Sequence, residues 1–215
     1  STDADHLDIY GTASDVKKSF QAFINCLQLS GTAIIREKLE LTFLGELIRY
    51  GKARKSDARY DKVKIINQQF QFNYTYKKIY IDLVNGIPGF HNVENATAAI
   101  TACVKLGIRI GDIAKALQNF KGVKRRFEYV VNTENHVVID DYAHHPAELT
   151  ACINSVKELY PGKRITGIFQ PHLYSRTRDF ANEFARALEQ LDECWLLDIY
   201  PARELPIEGI NSEFL

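Results

Sequence analysis

Apolar and polar positions along the chain follow two successive rhythms. From Ser14, a good N-cap residue, apolar side chains at Val16, Phe20, Phe23, Ile24 and Leu27 recur at the spacing of one buried helical face, and Gly31 ends the run. Residues 33–35 form a short β-branched stretch. Residues 64–83 alternate in two stretches around residues 74–78, the pattern of a hairpin with one wet face. Asn92 then caps a predicted helix whose Ala96, Ala98, Ala99 and Ala102 are small enough to let backbone or ligand come close, and Gly107 closes it. A shorter helix is predicted over residues 111–120.

Beyond the basic run 121–126 the rhythm changes. A buried-type strand over residues 137–141 is followed by a helix over 146–160, a strand over 164–169, a helix over 177–191 and a strand over 194–200. This βαβαβ order predicts an α/β fold with a parallel, doubly wound sheet, and it places a domain boundary near Phe127.

Composition narrows the classes of function. With 215 residues, 46% of them hydrophobic, two compact units are expected. Twenty-seven basic side chains balance twenty-seven acidic ones, so no net field favours nucleic acid, although a local cluster can still hold one phosphate group. Cys26, Cys103, Cys152 and Cys194 are widely separated, without a CxxC pair, and read as reduced core residues. No apolar run approaches the roughly 20 residues that a membrane span needs, and the opening residues are polar, so a cytoplasmic compartment and no membrane partner are expected. A chain without methionine that starts at Ser1 and stops as an apolar pattern resumes is expected to be an excerpt of a larger protein.

In an open parallel sheet, ligands gather beyond the carboxyl ends of the strands. The first such end carries Asp140-Asp141-Tyr142-Ala143-His144-His145-Pro146, the second Gln170-Pro171-His172-Leu173-Tyr174-Ser175-Arg176, and the third Asp198-Ile199-Tyr200-Pro201-Ala202-Arg203-Glu204. Pro146 suits a first helical position, which sets His144 and His145 at a helix N-terminus whose free N–H groups attract anions. Asp141 is suited to a ribose hydroxyl, a metal-bound water or an incoming amine; the plainer alternative is that Asp141 and His145 cap the helix while His144 fills a polar gap. Arg125 and Arg126, with Lys121 and Lys124, form the one dense cationic cluster, fit for phosphate or carboxylate or else a solvated link.

Asn92 and Asn95 share one helical face, and their amides suit an adenine edge, although a cap and a surface amide would give the same pattern. A GxxxxGK[ST] phosphate loop is missing, because residues 45–53 (GELIRYGKA) have the wrong glycine spacing and no hydroxyl after Lys52. Either the chain does not use ATP or that loop lies upstream. Two other readings stay open: a zinc or manganese hydrolase using Asp140, Asp141, His144, His145 and His172, and a non-catalytic nucleotide-binding module.

Residues 3–11 (DADHLDIYG), 89–100 (GFHNVENATAAI), 122–128 (GVKRRFE), 138–149 (VIDDYAHHPAEL), 169–180 (FQPHLYSRTRDF) and 196–208 (LLDIYPARELPIE) together resemble the Mur ligase family, in family order and at family-like spacing. The resemblance implies a partial central ATPase-type α/β domain over residues 1–127, lacking its phosphate loop, and a partial Rossmann-like parallel-sheet domain over residues 128–215. FQPH followed by YSRTRDF is similar to the alanine-adding branch. That implies ATP-dependent joining of L-alanine to UDP-N-acetylmuramate through an acyl phosphate, with Mg2+, in peptidoglycan biosynthesis, the fragment itself being inactive.

By motif position the resemblance implies Asn92 and Asn95 at the adenine and Arg126 and Asp141 at the nucleotide. It implies catalytic roles for Arg126, Asp141 and His144, and places His144, His172, Tyr174 and Arg176 near the acyl acceptor and the amino acid. Asp3 stands where the family usually offers a magnesium-binding glutamate, and Asn25 where many members carry a metal-binding histidine.

Overall fold

The computed structural model describes residue 2 and residues 7–215, so Asp3 lies outside the described residues. Two compact units comprise Ser1–Gly86 with Asn92–Phe120, and Ile87–His91 with Lys121–Leu215. The basic run 121–126 falls in the second unit, and the Phe127 ring, 3% exposed, meets the Tyr129 ring edge-on at 5.8 Å.

The first unit contains α1 (Leu7–Tyr10), α2 (Ala13–Asn25), β1 (Thr32–Arg36), β2 (Glu46–Gly51), β3 (Ala58–Ile66), β4 (Gln69–Tyr76), β5 (Ile79–Asn85), most of α3 (Phe90–Lys105), and α4 (Ile110–Asn119). Thr12 caps α2, two residues before the expected Ser14: Gly11 turns the chain at φ +82°, and the Thr12 hydroxyl accepts the Asp15 N–H. Of the apolar face read on this helix only Val16 and Ile24 are buried, because Ala33, Ile35 and Leu41 cluster around Ile24 and leave Phe20, Phe23 and Leu27 exposed.

Strands β1 to β5 form one sheet in sequence order, parallel from β1 to β3 and antiparallel from β3 to β5. The expected hairpin is present, turning at Lys77. It is preceded by a second one that turns at Asn67-Gln68, both left-handed (φ 51° and 59°), as a two-residue type I′ loop requires. Residues 45–53, the near miss for a phosphate loop, hold β2. Phe70, Phe72, Tyr74 and Tyr76 of β4 are buried, as are Val93 and Ile100 of α3, and the Tyr74 hydroxyl meets Thr101 Oγ1 at 3.0 Å.

The second unit contains β6 (Glu128–Asn132), β7 (Val137–Asp140), α5 (Pro146–Leu159), β8 (Thr166–Phe169), α6 (Tyr174–Asp179), α7 (Ala181–Leu188), β9 (Glu193–Leu196) and a 3-10 turn, Ser212–Phe214. β8 and β9 are parallel and connected through α6 and α7. β7, read as the first strand of one parallel run, pairs antiparallel with β6 instead. The loop between them is short and closed by the Thr133 N–H and hydroxyl donating to the His136 carbonyl, so little chain entropy opposes this local ladder.

The single helix expected over residues 177–191 is two, because Leu173 at φ 72° starts α6 early and Phe180 (φ −120°, ψ 22°) bends the chain before α7. Leu149, Phe169, Phe184, Ala187 and Leu188 make the core, with the Phe169 and Phe184 rings 5.5 Å apart. All four cysteines are free thiols. Cys26 and Cys194 are exposed, which corrects the expectation of core positions, while burial pushes the Cys152 thiol up to about 12. Among the described residues no helix is long and apolar enough to cross a membrane.

Candidate functional site

Helix α3 begins at Phe90, after Gly89 at φ +105°, so Asn92 lies inside the first turn and is not the cap. Asn95 Nδ2 donates to Asn92 Oδ1 at 3.4 Å, which confirms the shared face. Two buried threonines anchor this helix by donating to carbonyls one turn back, Thr97 to Val93 at 2.9 Å and Thr101 to Thr97 at 2.7 Å. The Arg36–Glu94 ion pair at 2.9 Å holds the turn carrying the two asparagines against β1. Asn25, at the exposed end of α2, accepts from Gln21 Nε2 at 2.8 Å. Among the described residues no group of three or more histidine, cysteine or acidic side chains is arranged to hold a metal ion.

The second unit assembles most of the remaining candidates, beginning with the arginine segment. Arg125 and Phe127 are both left-handed (φ 58° and 53°), an uncommon conformation for side-chain-bearing residues that costs on the order of 1 kcal/mol each. It persists because hydrogen bonds converge on it. Arg125 N–H donates to Glu128 at 2.8 Å, Arg125 C=O accepts from Tyr142 N–H at 2.6 Å, and Phe127 N–H donates to Asp141 Oδ2 at 2.8 Å. Asp141 Oδ1 accepts from Ala143 N–H, also at 2.8 Å. Asp141 therefore does not cap α5. Its carboxylate ties the arginine segment to the end of β7, and the second lone pair on each oxygen is what it can offer a ligand.

His145 is the cap of α5, its Nδ1 accepting the Ala147 N–H at 3.3 Å. His144 Nδ1 lies 2.8 Å from the Tyr142 carbonyl and 3.4 Å from Glu148 Oε2, two acceptors that require the proton on Nδ1 and leave Nε2 to act on a reactant. Glu148 Oε2 also accepts the His144 N–H at 3.1 Å, and Oε1 faces the Arg126 guanidinium at 3.5 Å. The Tyr142 ring lies under the guanidinium groups of Arg125 (4.7 Å) and Arg126 (5.5 Å) and meets the His144 ring edge-on at 5.0 Å. With Asp141 committed to amides, His145 to the cap and Asp140 paired with Arg125 at 3.9 Å, the Asp/His set of the hydrolase reading does not converge on a common point.

The segments after β8 and β9 run side by side: Leu173 N–H donates to the Tyr200 carbonyl at 3.0 Å and Tyr200 N–H to the Pro171 carbonyl at 2.8 Å. The His172 ring stacks on Tyr200 (5.6 Å, 19°) and lies 6.3 Å from the His144 ring, so two of the three strand ends meet at this pair of histidines. Arg176 is 5% exposed and donates to His172 Nδ1 at 3.3 Å. Burial first, then Arg176, His144 and Arg203, holds the His172 imidazole below its ordinary value. Tyr174 opens α6 and is half-buried; Ser175 N–H donates to Glu204 at 2.9 Å.

Glu148 was not singled out in the sequence, and Tyr142 and Glu204 stood in the strand-end stretches without a role. Glu148 stands four residues after His144, a helical contact spacing that was available as a signal; for Glu204 only the strand-end position was, its partner Ser175 being far away in sequence. A cavity of about 580 Å³ lined by Lys157, Tyr160, Gly162, Lys163, Arg164, Ile165 and Asp192 opens before β8 and β9, and contains none of the candidates.

Comparison with known proteins adds the following. The profile of the Mur ligase middle domain matches residues 2–103, and that of the Mur ligase glutamate ligase domain matches residues 125–214. UDP-N-acetylmuramate–L-alanine ligases of Flavobacterium psychrophilum and Christiangramia forsetii are 46% and 44% identical over 216 residues, covering all of this chain and 47% of each relative. The chain thus spans about half the length of the curated relatives it matches. The crystal structure of UDP-N-acetylmuramate-alanine ligase from Thermotoga maritima superposes with a TM-score of 0.75 at 29% identity, over 92% of this chain and 44% of that one. MurF ligase of the same organism, in complex with ADP, shares the fold at a TM-score of 0.75 and 17% identity, over 91% of this chain and 47% of that one.

Proposed function

The chain belongs to the Mur ligase family, and from that premise we propose that the protein carrying it joins L-alanine to UDP-N-acetylmuramate at the expense of ATP. The observation that carries the reading is the meeting of His144 and Glu148, which follow β7, with Arg126 of the segment before β6 and with His172 and Arg176, which follow β8. Such a set suits a reaction whose reactants are anionic and whose incoming nucleophile is an amine.

In this reading the muramate carboxylate takes the γ-phosphoryl group of ATP and ADP leaves. The amine of L-alanine then attacks the acyl carbon, loses a proton, and expels inorganic phosphate. Arg126 offsets charge on the phosphoryl oxygens, the pair Asn92 and Asn95 reads the adenine edge, and Asp141 holds the arginine segment in place while contributing its remaining lone pairs. His144 Nε2 is suited to receive the amine proton, and the buried Arg176 to hold the alanine carboxylate with His172 and Tyr174 beside it. Magnesium would enter with ATP, and Asp3 and Asn25, whose Oδ1 keeps a second lone pair beside its bond from Gln21, would be the residues to hold it.

The test is a coupled ADP assay on the full-length protein with UDP-N-acetylmuramate, MgATP and each proteinogenic amino acid in turn. ADP formation that requires both the muramate nucleotide and L-alanine supports the proposal. ADP formation with another amino acid, or none, sinks it.

A further inference from the structure

Glu148 touches both halves of the candidate machinery, although neither the strand-end pattern nor the family resemblance singles it out. It stands in the first turn of α5, three residues after the capping His145, where the positive end of the helix favours a carboxylate. An oxygen that accepts the His144 N–H is an ordinary brace for a helix start. The brace does not account for the second oxygen, which faces the Arg126 guanidinium while the first also lies against the His144 ring.

With side chains 50% and 37% exposed, the Arg126–Glu148 pair contributes little to stability, under about 1 kcal/mol. Its effect is geometric. The backbone on either side of Arg126 is fixed by the left-handed Arg125 and Phe127 and their hydrogen bonds, so the long side chain is the part left to orient. Beside the Tyr142 ring and carbonyl, one carboxylate braces its direction and, through the other oxygen, the ring of His144.

We infer that Glu148 is a positioning residue of the ligase reaction, a carboxylate that keeps the Arg126 guanidinium and the His144 ring in mutual register before the reactants bind. The inference rests on the proposed ligase activity. Holding a guanidinium in its working direction lowers the entropy lost on binding phosphate, so the benefit falls mainly on nucleotide binding.

Glu148→Gln keeps the shape and an oxygen for the His144 N–H but removes the charge. In the full-length protein the expected result is a KM for ATP raised about five- to tenfold with kcat changed less than about threefold, and an unchanged melting temperature. Adding Glu148→Gln to Arg126→Ala is expected to raise the KM for ATP no further, because in nucleotide binding the carboxylate acts through that arginine. Glu148→Asp, too short to span both partners, should also raise the KM.

A KM within twofold of wild type for Glu148→Gln, KM increases that multiply in the double variant, or a wild-type Asp variant would each overturn the assignment. A wild-type protein without alanine-dependent ADP formation removes the activity itself, and that result is read before any variant is made.

Discussion

Left-handed backbone at residues other than glycine occurs in both units, but at different kinds of place. In the first unit Lys62 lies at the bulge between Asp61 and Lys64, Asn67 and Gln68 make a hairpin loop, and Lys77 makes the next. These are demands of sheet geometry, and turns meet them cheaply. In the second unit Arg125, Phe127, Leu173 and Ala202 flank Arg126, follow His172 and precede Arg203. No ladder requires them. The first unit spends its unusual backbone on continuity of a sheet, and the second on aiming side chains, which is where strain at functional sites is found.

Core truncation shows how much the first unit depends on its sheet. Phe72→Ala, at a position 2% exposed, is expected to cost about 3–5 kcal/mol and to speed amide exchange throughout β4 and β5. Protection unchanged in β5 would contradict a continuous core.

Next in size is Asp141→Ala, which leaves two amides without their carboxylate. It is expected to destabilise the second unit by about 2–3 kcal/mol, followed in urea by the fluorescence of Trp195, the one tryptophan of the chain. Asn92→Ala, by contrast, should change stability by under about 0.5 kcal/mol while weakening ATP use. Equal stability losses for the two variants would erase the distinction between a side chain that builds and one that binds.

A smaller effect separates the two kinds of strain directly. Gln68→Gly should stabilise the first unit by about 0.5–1 kcal/mol without loss of activity, because the turn requires a positive φ that glycine adopts freely. Arg125→Gly relieves the same conformation but removes a guanidinium from the Tyr142 ring, so turnover should fall. If both variants behave alike in thermal melts and in ADP formation, the strain beside Arg126 has no functional meaning.

The smallest effect is a pH dependence. The folded state keeps His172 neutral below its usual range near 6.5, so the unfolded chain takes up the proton first as pH falls. This group therefore leaves stability unaffected above about 6.5 and lowers it as pH drops from there through the depressed folded value. His172→Gln should flatten that part of the urea-midpoint profile, and an unaltered slope would remove His172 as its source.

Much of the scaffold was legible because its signals are local. The Lys77 turn, α4 to within a residue of each end, and α5 with its Pro146 start follow from spacing and turn chemistry. What escaped depends on partners distant along the chain or on backbone that few residues tolerate. The apolar periodicity of α2 overstated its buried face, because β1 supplies side chains only around Ile24. The true start of α3 depends on Gly89, and the break before α7 on Phe180.

Within the site, residue types at the strand ends were readable. The commitment of Asp141 to amides of the arginine segment was not, since its partner Phe127 lies fourteen residues earlier. Glu148 was readable as part of a helix start; its second oxygen, turned to Arg126, was not.

The bonds that hold Arg125 and Phe127 also have a direction in time. Their partners Glu128, Asp141 and Tyr142 all lie later in the chain. On a ribosome, which adds about 5–20 residues per second, Arg126 leaves the peptidyl-transferase centre before any of the three has been made. Its setting waits for the hairpin of β6 and β7 to emerge, so an interrupted translation product ending before Tyr142 would carry the arginine without the frame that aims it.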